Sequence, residues 1–211
     1  MQSRTISREL ALLMLGQVSD RSSDPVADSD APLDALLHQA LAGLSQHVRE
    51  ALDRSAEDLA AAQRELLDSE LQAEVPDRLP RVRQHLQEGL AAAEQALNRL
   101  SATLELPRLL LMADQEDVRR GAIARTRAVL RDREAIDRRL DAVMEGWRLG
   151  RLPRIDRDIL RLAAVDLADF GTPAAVACNE AVELANRYSD EQGRRMINGV
   201  LRRYTAAAAR G

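Results

Sequence analysis

Few side chains in this 211-residue chain could hold a metal or attack a carbonyl. His38, His47 and His85 are the only histidines, and none stands beside a cysteine or at a clean metal-ligand spacing. Cys178 is the single cysteine, so no internal disulfide can form. With no histidine in its segment, it reads as a small buried hydrophobe and not as a nucleophile. The ten glycines are scattered, with no GxGxxG or GxxxxGK run to cradle a nucleotide phosphate. Carboxylates recur as ordinary helix-surface pairs with arginine. These patterns predict a protein that is not an enzyme and that uses no cofactor and no metal.

Arginine is where the sequence is distinctive, because all thirty basic residues are arginine. A guanidinium is planar, permanently charged and shaped to fork onto phosphate or stack on a base. A GC-rich genome would produce the same bias, so composition alone assigns it no role. The distribution says more: residues 20–117 hold 20 acidic side chains against 9 arginines, and residues 118–203 hold 18 arginines against 13 acidic side chains. The second part is the candidate for an anionic partner, and the first for a basic one.

The elements that must carry these charges are helices. Aromatics make up 2% of the chain and hydrophobics 45%, mostly Ala and Leu, which suits helices packed through small and aliphatic side chains. No run of 18 uncharged apolar residues occurs, and the N-terminus lacks a basic-then-apolar leader. The expectation is a cytoplasmic protein with no membrane contact. "SRTISRELALLMLGQVS" (3–19) predicts a helix capped by Ser3 or Ser7, with Leu10, Leu13, Met14 and Val18 on its face, and "DRSSDPVADSDAP" (20–32) predicts a loop. Two long patterns follow, one from near Leu33 through Leu37, Leu41, Leu44, Val48, Leu52, Leu59, Ala62 and Leu66. The other runs through Val82, Leu86, Leu90, Ala93, Leu97, Leu100 and Leu104. "EVPDRLP" breaks between them, giving a hairpin packed leucine seam to leucine seam, with Gly43 and Ser55 as weak points and Pro107 ending the second arm.

Beyond residue 118 the periodicity predicts a succession of shorter helices. Val118, Ala122, Val129 and Leu130 form one face, with Arg120, Arg127 and Arg131 opposite. Asp132 is placed to cap the next helix, whose face runs Ile136, Leu140, Val143, Met144 and Trp147. A helix from about Arg154 to Asp169 stops at Gly171, with Thr172 as the next cap and Pro173 at the first position of its helix. The last helix carries "RRMINGVLRRY" (194–204), where Asn198-Gly199, a strong turn signal, sits inside the apolar spacing of Met196, Ile197, Val200, Leu201 and Tyr204. A glycine there costs about 1 kcal/mol relative to alanine, which a tight helix crossing at Gly199 would justify.

"VLRDREAIDRRLDAVMEGWRLGRLPRIDRDILRLAAVDL" (129–167) followed by "TPAAVACNEAVELANRYSDEQGRRMINGVLRRY" (172–204) resembles the NusB family of bacterial transcription antitermination factors. The EGW helix end, the RIDRDILRLA helix, the P-x-x-VA-x-NEAVELA helix and the NGVL helix carry the resemblance, in order and spacing, over about half the chain. "SRELALLML" (7–15) is similar to the family's opening helix. The resemblance implies an all-α fold of two small helical bundles. Its first helix would be residues 1–19 and its remainder 116–211, interrupted by an acidic loop and long helical hairpin over 20–115. It implies binding of boxA-type single-stranded RNA from ribosomal leaders together with NusE, a small-subunit ribosomal protein, within the RNA polymerase antitermination complex. Arg4 and Arg8 match the family's arginine-rich RNA-contacting N-terminus, although Thr5 and Ile6 thin it. Asp156 and Met196 match its NusE contacts. The alternative is a helical protein–protein adaptor that has kept the fold and lost the RNA; a homodimer through the same faces would mask both sites.

Overall fold

Every regular element follows from apolar residues recurring at three and four, and among the described residues there is no strand. The computed structural model describes residues 2–18, 30–73, 79–103 and 106–208. Its helices are α1 (Gln2–Gln17), α2 (Asp30–Ala73), α3 (Leu79–Thr103), α4 (Leu106–Ala113), α5 (Glu116–Arg131), α6 (Arg133–Asp141), α7 (Arg154–Ala168), α8 (Ala174–Tyr188) and α9 (Glu191–Ala208). Most of the expected 20–32 loop, and Pro76 of the interhelical break, lie outside the described residues. The chain divides into two compact units, residues 1–41 with 112–211 and residues 42–111.

In the first unit α7 is the central element, packing against α1, α5, α6, α8 and α9. Around it lie two small bundles, α1 with α5 and the start of α2, and α8 with α9 and α6. Leu10, Met14, Val118, Ala122, Ile159, Leu160, Ala181, Ile197 and Leu201 are buried, as their spacing requires. Leu33, Leu37 and Ala40 are buried, and the start of α2 through Leu41 belongs to this unit, the second unit beginning at Ala42. The second unit pairs the rest of α2 with α3.

Several local expectations change. Ser3 and Ser7 lie within α1, and the buried Ser7 hydroxyl bonds the Ser3 and Val118 carbonyls instead of capping. Asp132 precedes α6, but its carboxylate is engaged by Arg131 and makes no cap bond. Pro173 takes the cap position of α8, one residue later than expected, after Gly171 at φ 56°. Pro107 does not end a helix; it sits in the first turn of α4, where its missing N–H costs nothing. Helix α6 ends at Asp141, and Gly146 at φ 73° turns the chain, leaving Trp147 exposed instead of on the helix face.

The hairpin also packs differently. Neither Gly43 nor Ser55 interrupts α2; Ser55 is buried and its hydroxyl bonds Ala51 O at 2.8 Å. The helices meet through a stripe of small residues: a Cβ at Gly89 would lie 3.3 Å from Ala62 O, and Ala96 is fully buried. Arg99 pairs with Asp58 at 3.2 Å and His85 Nδ1 lies 2.6 Å from Glu65 Oε2, which sets an antiparallel register. Small side chains allow close backbone approach, and the bulkier leucines are displaced to the side.

The hydrogen bond that the His85 ring donates to Glu65 raises its pKa above the ordinary 6.5, reinforced by the charges of Glu65, Glu88 and Asp68 and opposed by a smaller desolvation effect. The folded hairpin therefore binds this proton more tightly than the unfolded chain does. Its contribution is complete below about pH 6.5 and is lost as pH rises through the folded value. An NMR titration of the His85 ring should give a pKa above 6.5 that falls in Glu65→Gln; a value at or below 6.5 in the native protein would contradict the pairing.

Candidate nucleic-acid interface

The basic residues of the first unit fall into two populations. Some are fixed inside the fold, and some stand in solvent above them. The fixed group centres on Asp166, which the 3–4 spacing of α7 places on the side facing α1 and α5. Arg8 from α1 donates its Nε–H to Asp166 Oδ2, and Arg125 from α5 donates its own to Asp166 Oδ1 at 3.0 Å. All three are buried. Arg8 also lies 3.6 Å from Glu180 of α8, whose other oxygen accepts from Thr5 at 2.9 Å. Burial pulls the Arg125 pKa below its usual value; Asp166 opposes this, while the positive charges of Arg8 and Arg4 add to it.

Phe170 lies where α7 ends, half-exposed, with the Arg125 guanidinium 4.4 Å from its ring centroid. Arg131 stands beside it in solvent, reaching Asp132 at 2.6 Å and Asp169 at 3.4 Å. Arg4 is exposed one turn before Arg8. The result is an exposed aromatic ring with the Arg125 guanidinium held against its face and the Arg131–Asp169 ion pair one residue away along the chain. That combination can stack a base and contact its phosphates.

Of the two N-terminal arginines matched to RNA, only Arg4 faces solvent, because the Arg8 guanidinium is committed to Asp166 and Glu180. Asp156, in the first turn of α7, is likewise buried, accepting from Ser189 Oγ at 2.6 Å. Its carboxylate lies against the start of α9, where a Cβ at Gly193 would come within 2.8 Å of Oδ2 and 2.2 Å of Ser189 Oγ. Only glycine fits that corner. Met196 is half-buried on α9, one turn further on.

Gly199 does not sit at a tight crossing. The nearest atom to a Cβ built there is Arg203 Nη1 at 3.9 Å, so no packing within the chain requires glycine. Arg125, Asp166 and Phe170 escaped the sequence reading. The signal for the first two was present: both are charged residues on stripes, 118-122-125-129 and 159-162-166, that are otherwise apolar. The nearest thing to a metal-ligand set among the described residues is Glu65, His85 and Glu88, with ligand atoms within 4.8 Å of one another. Its third member comes from the opposite arm, which spacing along one helix could not reveal. Among the described residues no helix is long and apolar enough to cross a membrane.

An all-α fold of two small bundles tied by a buried Arg–Asp–Arg cluster defines a class of small helical proteins. The NusB family profile matches residues 84–206, and the chain belongs to the NusB family. The transcription antitermination protein NusB of Synechococcus elongatus is 46% identical over 203 residues, covering 96% of this chain and 92% of its own length. The proteins of that name from Synechocystis sp. and Gloeobacter violaceus are each 42% identical, over 204 and 205 residues, covering 97% and 96% of this chain and 91% and 94% of their own lengths. Coverage this complete means that these relatives carry sequence aligned to the region of the long hairpin.

Asp166→Ala would leave two buried guanidiniums without a counter-charge, and should cost on the order of 3–5 kcal/mol in urea unfolding followed by circular dichroism. Arg4→Ala, at an exposed position, should stay within about 0.5 kcal/mol of the parent.

Proposed function

We propose that this protein is a transcription antitermination factor that binds boxA-type single-stranded RNA together with NusE. The observation that carries the reading is the half-exposed Phe170 ring with the Arg125 guanidinium against it, on a NusB-family fold whose Arg4 and Arg131 face solvent. Arg4 serves as a phosphate contact. Arg8 acts through position, fixing α1 against α7 so that Arg4 is presented. For NusE, Met196 supplies the apolar contact, and Asp156 holds the α8–α9 corner from which it projects. RNA polymerase is engaged through the assembled complex.

The burial of Arg8 favours one competing reading, a helical adaptor that keeps the fold and has given up RNA, because it leaves the N-terminus with one free arginine. Fluorescence anisotropy with a labelled ribosomal leader boxA RNA, with and without NusE, separates the two. Affinity should rise with NusE and fall with salt by about 0.7 log units per log unit for each phosphate contact. Arg4→Ala should reduce that slope by one contact, and Met196→Asp should remove the NusE enhancement while leaving the circular dichroism spectrum intact. RNA binding that stays undetectable with NusE present would decide for the adaptor.

A further inference from the structure

The hairpin of the second unit is amphipathic across its width. Helices α2 and α3 touch along Ser55, Asp58, Ala62 and Glu65 on one side and His85, Gly89, Ala96 and Arg99 on the other. Leu59 and Leu66 each follow a contact residue of α2 by one position, and Leu86, Leu90 and Leu97 do the same on α3. One residue is a turn of about 100° around a helix. Because the two helices run antiparallel, the same sense of turn carries both sets of leucines to the same side of the pair. The charged and polar residues one position before the contacts, including the Arg54–Glu50 and Gln84–Glu88 pairs, fall on the opposite side.

With Leu52, these leucines are between 41% and 71% exposed. Together they leave on the order of 600 Å² of apolar surface, at the upper end of the largest patch a monomer ordinarily shows and approaching the roughly 800 Å² per partner of a stable dimer. The pattern is also self-complementary. Leu52, Leu59 and Leu66 recur every seven residues, so a two-fold axis at Leu59 sets Leu52 of one copy against Leu66 of the other. A basic partner would be drawn to the opposite, charged side of the hairpin and would leave these leucines uncovered.

We propose that the occupant of this leucine face is a second copy of this chain. Two hairpins close face to face into an antiparallel four-helix bundle whose core is the leucine set and whose charged sides face solvent.

Sedimentation of the full chain, without RNA, from about 1 to 100 micromolar tests this by mass action. The expected result is a species of twice the 23.3 kDa chain mass. Leu59→Glu with Leu90→Glu should convert it to monomer with unchanged helical circular dichroism. If that variant fails to fold, Leu59→Cys in a Cys178→Ser background provides a second reading. Mild oxidation should cross-link it between chains in high yield, while Gln84→Cys on the polar side should not cross-link. A wild-type chain that stays monomeric at the highest concentration, a dimer that persists in the folded double-Glu variant, or no cross-link at Leu59 would each overturn the proposal.

Discussion

One carboxylate shared by two buried guanidiniums ties the first unit together. Asp166 receives Arg8 from α1 and Arg125 from α5, so the helix at the centre of the unit is joined to both partners through a single side chain. Apolar packing alone would let α1 slide a turn along α7 at modest cost, because Leu and Ala at successive turns are nearly interchangeable. A bidentate carboxylate does not permit that slip, since one turn of displacement would leave three charges buried and unpaired. The same logic repeats along α7: Asp158 binds Arg161, and Arg161 reaches Asp137 of α6 at 2.7 Å. Burial pulls Arg161 down, but Asp137 and Asp158 outweigh it and its pKa ends above the usual value. Asp156 continues the series at the corner with α9. Buried ion pairs thus specify register, while leucine, isoleucine and alanine supply the driving force.

Helices of this kind are easy to read where the buried face is purely aliphatic. The stripe of α9 was legible, because Ile197, Val200 and Leu201 are spaced as a helix face among charged neighbours and are buried. Charged residues on buried faces were not, because a sequence pattern scores Arg125 and Asp166 as surface until their partner on another helix is known. Arg8, matched to an RNA contact by the family resemblance, is another charged residue on a buried face. Its type suits phosphate, but its position four residues from Leu12 on the buried side of α1 determines its fate.

The hairpin failed in a more instructive way. Heptad-spaced leucines normally mark the seam of a helical pair, and the sequence contains two such seams. The structure brings the helices together instead through glycine, serine and alanine one position earlier, a contact with little hydrophobic signal but a closer backbone approach. Gly199 shows the converse. Its place inside an apolar helix suggests a crossing, and among the described residues nothing crosses there. Residue type signals that something approaches a helix closely; it does not say from which side or from which molecule.

Trp147, the only tryptophan, lies in the turn after α6 with about half its surface in water. Its indole therefore begins in an environment not far from that of the unfolded chain, so intrinsic fluorescence is nearly blind to the loss of the core. The blindness becomes an advantage for optical work on complexes. A half-exposed probe on the surface will shift to the blue when another molecule covers that turn, giving a label-free report of docking.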